Sequence, residues 1–304
     1  MSTSLTERPV PIESAAGSRG IEVFSLRRYV RRNPSLVVGV ALLSLLVLFV
    51  GIGSLVVDTS KARALAAPPL QPPSAQHLLG TERSGRDMLA AMVVGTPYTL
   101  WIGFVAGFLG VGIGTVLAFT AAYYRGVVDT IIRGVVDVGL TVPQLMLLII
   151  IAISVKSGLS VNQMALVVAS LAWLNPTRTI RSQVLTLRER AFVATARLSG
   201  MSGPEIIVKE LMPNLLPYLA ATLVNAVSSA ILASIGLEVL GLGPMDSPTL
   251  GMAMYWVNFH GALINGWWWW WSPPILLIII LFLGLFFLTV GLDEIANPRL
   301  RKAI

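Results

Sequence analysis

Apolar residues in this chain gather into long uninterrupted runs separated by short polar stretches. The run 36–57 holds 22 residues without a charge, enough for a helix to cross a hydrocarbon core of about 30 Å. A second uncharged run, 88–124, exceeds the need of one crossing, which predicts a helix near 98–122 preceded by residues outside the membrane. Further spans are predicted near 129–154, 161–178, 214–239 and 273–292. The expected fold is an all-α integral membrane protein with six transmembrane helices. It has a polar tail at 1–35, a first span at 36–57, an external loop at 58–97, a core of five helices at 98–292 and a second tail at 293–304. An apolar core that starts so late and runs so long is an anchor, not a cleavable signal peptide.

Composition supports this pattern. Of 304 residues, 55% are hydrophobic and 12% charged, with a mean hydropathy of +0.78. Soluble domains carry about 25% charged residues, so much of the surface must face lipid. The net charge of +7 is accounted for by topology and not by a nucleic-acid partner. With both termini inside, 17 of the 22 Lys and Arg fall on the cytoplasmic side, and Lys61, Arg63, Arg83, Arg86 and Lys156 fall outside, as the positive-inside rule asks. The chain has no cysteine and two histidines, which excludes disulfides, thiolate metal sites and histidine-rich metal sites.

Some positions carry two readings. Gly103, Gly107, Gly110 and Gly114 share one face of the second helix, suited to helix packing within the chain or to a partner subunit. Asp137 follows Arg133 by four residues, the spacing of a local pair. Glu238, near the outer end of the fifth span, is expected to be solvated or to face a substrate path. His77 is read as structural packing, and no carboxylate constellation supports an embedded enzyme. Trp267, Trp268, Trp269, Trp270 and Trp271 are consecutive; they form an interfacial girdle touching a partner, or stack on sugar rings at the external mouth through Trp268 and Trp270. The Pro-rich loop 58–97 is an extended spacer or a contact for an extracytoplasmic binding protein.

The most informative segment is RSQVLTLRERAFVATARLSGMSGPEIIVKELMPNLLP at 181–217. Thr186 with Glu189, and Ser202 with Glu205, have capping-box spacing. Gly200 suits a left-handed helix end, Pro204 a first turn, and Pro213 an end. Two short helices near 187–199 and 203–212 are predicted, bent at Gly200. Spacing alone leaves them lying on anionic headgroups or docking a cytoplasmic partner.

This segment resembles the EAA loop of ATP-binding-cassette importer permeases, with Ala194, Thr195 and Ala196 at the three motif positions, Gly200 six residues after the first and Pro213 nineteen after it. Ala194 stands where that family has Glu, and Thr195 where it has the first Ala. HLLGTERSGRDML at 77–89, AAYYRGVVDTIIRGVVDVGLTVPQLMLLI at 121–149, LPYLAATLVNAVSSAILASIGLEVLGLG at 216–243 and DEIANPRLRK at 293–302 are similar to the oligopeptide/dipeptide/nickel branch, in its second, C-type, permease subunit. The resemblance implies a type I importer fold carrying peptides, with oligosaccharides or nickel chelates as alternatives within the branch. It implies that 186–213 couples to ATPases through Glu189, Arg190, Ala194, Thr195, Ala196, Arg197, Gly200, Met201, Ser202, Glu205 and Pro213. The implied partners are a homologous permease, two cytoplasmic ATPase subunits or domains, an extracytoplasmic binding protein and membrane lipid, in the inner membrane of a prokaryote.

No Gly-Lys-Ser/Thr occurs, since none of the four lysines follows a glycine. No cofactor is therefore expected on this chain; ATP and Mg would sit on the partner ATPases. A proton-coupled transporter is the competing class, and it would need ionisable groups deep in the membrane.

Overall fold

The computed structural model describes residues 33–155 and 158–296. The basic tail up to residue 32, Lys156 and the stretch from 297 lie outside the described residues. Within them, regular structure is helical apart from one isolated bridge between Thr81 and Asp87. The helices are α1 (Pro34–Val56), α2 (Met88–Tyr124), α3 (Gly126–Thr141), α4 (Gln144–Ser154), α5 (Val161–Ala172), α6 (Leu174–Arg188), α7 (Ala191–Leu198), α8 (Gly203–Val239), α9 (Leu250–Phe259) and α10 (Trp268–Ala296). By length and composition α1, α2, α8 and α10 can each cross a membrane, and α3 with α4 forms a fifth candidate bent by 88°.

Four or five candidate spans therefore stand where six were expected, and proline explains the difference. Val142, preceding Pro143, is extended (φ −86°, ψ 133°), because a proline disfavours helical backbone in the residue before it. That breaks the predicted straight span 129–154. Likewise Pro176 has no N–H to give the Ala172 carbonyl, and the predicted span 161–178 ends at Ala172 and restarts at Leu174 as α6.

Helix α2 starts ten residues before the predicted 98, because the Asp87 carboxylate accepts from the Ala90 N–H at 3.0 Å and caps it. At 37 residues it is about 55 Å long and threads three apolar cores in turn. Met88 and Met92 enter the first, with Trp270 and Leu281. Ile102 and Ala106 enter the second, with Leu148 and Met164. Ala118 and Phe119 enter the third, with Ile180 and Val193. The glycine stripe serves packing within the chain: a Cβ on Gly103 or Gly107 would collide with Ile231 or Val227 of α8, and one on Gly110 or Gly114 with Ala172 or Pro176. Helix α1 lies along α10, the last span, which begins at Trp268 with Pro273 and Pro274 inside it, not at 273.

Candidate functional site

Helix α6 ends at Arg188, with Glu189 as its cap, and α7 begins after Arg190. The expected Thr186–Glu189 capping box is not made. Thr186 lies inside α6 with its hydroxyl donating to the Ser182 carbonyl at 3.1 Å, and Glu189 pairs with Arg125 instead. Arg188 donates to the carbonyls of Ala122 (2.8 Å) and Tyr123 (2.7 Å), satisfying the last carbonyls of α2. Arg181 grips Asp129 through Nε and Nη2 at 2.5 and 2.6 Å. The expected Asp137–Arg133 pair does not form, and both residues flank a small cavity with Arg178 and Arg181.

Helix α7 is amphipathic at its smallest scale. Val193 and Ala196 are buried, while Ala194, Thr195, Arg197 and Leu198 face outward; Leu198 is 90% exposed. Gly200 adopts φ +81°, and a Cβ there would meet open space. The requirement for glycine is therefore a matter of backbone conformation alone. Met201 returns to donate its N–H to the Ala196 carbonyl. The Ser202–Glu205 capping box is present, and Lys209 adds a 2.8 Å contact to Glu205.

Pro213 does not end a helix. Residues 207–211 form a π turn, after which the α-helical stretch resumes at Met212. The wide turn sets Pro213 in a first-turn position, where its missing donor costs little. The two-helix loop predicted at 187–212 is thus one short helix, α7, followed by the first turns of a 37-residue helix that runs on to Val239.

At the opposite end of the molecule, Glu238 is fully buried, which overturns the solvated position expected for it. Its carboxylate accepts from Ser234 Oγ at 2.8 Å and Thr249 Oγ1 at 2.6 Å. Thr249 also caps α9 by accepting from the Met252 N–H. Thr99 of α2 accepts from the Leu250 N–H at 3.0 Å, so α9 is fastened to two long helices. The stretch 58–87 is no extended spacer: Thr81, Glu82, Arg86 and Asp87 are buried within it. His77 pairs with Asp87 at 2.8 Å, in agreement with a packing role. Burial pushes the Glu82 carboxyl above the usual carboxylate range, against the opposing effects of Ser84, Arg86 and Trp270.

The tryptophans divide. Trp270 is fully buried against Trp267 and His260, which removes it from any surface sugar contact. Trp268 is 56% exposed, and Trp269 donates to the Thr81 carbonyl at 3.4 Å. Burial, with Arg83 second, holds the His260 imidazole below its usual pKa. An open cavity of about 880 Å3 between Tyr98, Trp101, Asn162 and Asp246 lies at this end; no sequence motif had marked it.

Comparison with known proteins bears on both ends. Residues 110–302 match the family model described as binding-protein-dependent transport system inner membrane component. The chain is 34% identical over 174 residues to the oligopeptide transport system permease protein OppC of Mycobacterium tuberculosis, covering 57% of this chain and 60% of that one. It is 30% identical over 216 residues to the dipeptide transport system permease protein DppC of Alkalihalophilus pseudofirmus, covering 71% and 70%. It is 27% identical over 285 residues to the Bacillus subtilis protein of that name, covering 90% and 85%. The match thus spans 60% of the length of the oligopeptide relative. With nearly two thirds of its length matched by one family model, the chain belongs to the family of binding-protein-dependent transport system inner membrane components.

Proposed function

We propose that this chain is the non-catalytic C-type permease subunit of an ATP-driven importer, and that with a homologous permease it forms half of a path for di- or oligopeptides. Peptides arrive from an extracytoplasmic binding protein, and two ATPase subunits or domains, which hold the ATP and Mg, dock at the α7 end. In this reading the α7 end and both termini are cytoplasmic, and α5 leading into α6 supplies a sixth crossing. The peptide assignment is supported by the oligopeptide and dipeptide names of the relatives.

The observation that carries the mechanism is the continuity of α8. One helix of 37 residues, about 55 Å long, joins the Gly200 bend to the far side of the membrane. Exposed Leu198, Arg197 and Thr195 offer a contact to a partner, while Phe192, Val193, Ala196 and the adjoining Met201 hold α7 against the spans. A displacement of α7 by closing ATPases is passed through the Ser202–Glu205 cap into α8 and switches the path from outward to inward access.

Affinity purification of the tagged chain from mild detergent, with mass spectrometry, tests the assembly. Recovery of a second permease and Walker-containing ATPases is expected. A functional homo-oligomer without ATPase would overturn the reading and favour a proton-coupled carrier. Uptake of labelled peptides by the reconstituted complex, dependent on ATP and binding protein, tests the substrate.

A further inference from the structure

Between α4, the start of α6 and the middle of α8 lies a cavity of about 90 Å3, room for about three waters. Its polar lining comes from Gln144, Asn175, Thr179, Thr222, Asn225 and Ser229, and no lining residue is ionisable. Both proline breaks border it: Gln144 follows Pro143, and Pro176 leaves the Ala172 carbonyl without its i+4 N–H. On α8 the polar positions extend into a stripe, Asn214, Tyr218, Thr222, Asn225 and Ser229. Steps of four, four, three and four keep them on one face over about 22 Å.

Asn225 stands twelve residues after Pro213 and thirteen before Glu238, about 18–20 Å along the helix from each, hence near the middle of the span. Asn175, Asn225 and Ser229 are exposed on this chain. The carboxamides of Gln144, Asn175 and Asn225 have no hydrogen-bond partner among the described residues. Turned to hydrocarbon, each would lose several kcal/mol of hydration, so this face does not meet lipid. Two occupants remain, a partner helix or a water-filled path. The groove is concave, with Ala172, Ala226 and Ala230 recessed beneath the amides. A partner helix packing through small residues would meet these alanines directly. Here polar groups project around them.

Resting on the peptide reading above, we propose that this uncharged amide and hydroxyl stripe is the peptide-contacting wall of the translocation path, and that it recognises main chain and not side-chain charge. Carboxamides both donate and accept, as a peptide main chain does. A 22 Å stripe matches about six residues of extended chain. Without fixed charge in the wall, acidic and basic side chains pass on equal terms.

The natural absence of cysteine makes the test direct. In the assembled complex in proteoliposomes, Asn225→Cys and Asn175→Cys are treated with a charged, membrane-impermeant thiol reagent and this chain's mass is read. Modification of both is expected, with Phe108→Cys, exposed on an all-apolar face of α2, unmodified. Protection of both would overturn the path and leave a sealed subunit interface. In the second arm, Asn225→Asp places a charge in the wall, and the ratio of basic to acidic tripeptide uptake, each relative to wild type, should rise about tenfold. An unchanged ratio would remove peptide contact from this stripe. Should the wild-type complex carry no peptide at all, the substrate assignment falls, together with the peptide role of the stripe, while the thiol result still decides whether the face is aqueous.

Discussion

At the α9 end, charged and polar side chains are buried and held on several sides: Glu238 by Ser234 and Thr249, Asp87 by His77 and the N-terminus of α2. At the α7 end the Arg181–Asp129 pair is largely shielded, but the outer groups lie open. Arg125 and Glu189 pair with half or more of each side chain exposed, and Lys209 with Glu205 in similar exposure. Buried networks tie helices into one body, because breaking any member leaves another unsatisfied. Exposed pairs stabilise by about 1 kcal/mol or less and rearrange freely. The α9 end is therefore cross-tied to the spans, while the outer rim of the α7 end is held by pairs that exchange partners at little cost, as the importer proposed above would require.

The strongest way to break this contrast lies in the tryptophans. Trp270→Ala should destabilise the detergent-solubilised complex by about 3–5 kcal/mol, and Trp268→Ala by less than about 0.5 kcal/mol, read as shifts in thermal unfolding. Equal losses would mean that Trp270 is not a core residue. Next, Glu238→Ala should cost about 3 kcal/mol by leaving buried donors unpaired, and Glu238→Gln less, since an acceptor oxygen remains.

At the other end the signature reverses. Gly200→Val forces a β-branched residue into a left-handed conformation at about 1–2 kcal/mol, yet uptake and ATPase stimulation should fall far more than thermal stability does. Uptake equal to wild type would refute the role given to this bend. Arg125→Ala should change stability by less than about 1 kcal/mol, and less still at high salt.

The smallest effect is one of pH. Glu82 binds its proton more tightly folded than unfolded, since burial raises its pKa from an ordinary value near 4.5. Its contribution is complete below that value and is lost as pH rises through the elevated folded one. Glu82→Gln should flatten that slope in unfolding measured across mildly acidic pH.

Much of this was legible in the chain. Apolar runs located α1, α2, α8 and α10, and the steps between Gly103 and Gly114 found the packing face of α2. Gly200 and the Ser202–Glu205 cap were read correctly, since both depend on neighbours in sequence. The breaks at Pro143 and Pro176 were also written there, yet hydropathy is blind to them: an apolar run looks the same straight or bent. Thr186 was misread because a capping spacing also occurs inside helices, and only the start of α6 twelve residues earlier decides. Glu238 and Trp270 were misplaced for another reason. Their burial comes from Thr249, Gly251 and the 58–87 stretch folding over them, contacts that no local pattern encodes. Asn214 through Ser229 could have been found by counting polar residues at helical spacing within a span.

The π turn at 207–211 sets the rotational phase of α8. A π turn holds one residue more than an α turn, so helix beyond it is rotated by about 100° relative to an uninterrupted helix. The face that the first turns show outward and the face that carries Asn225 are thereby set independently. Removing a single residue from this turn would keep every side chain of the stripe and yet swing it toward its neighbours or toward lipid. Composition would be almost untouched while the exposed face of the span was exchanged for another, so length at this one place is as much a determinant of what that face presents as the amides themselves.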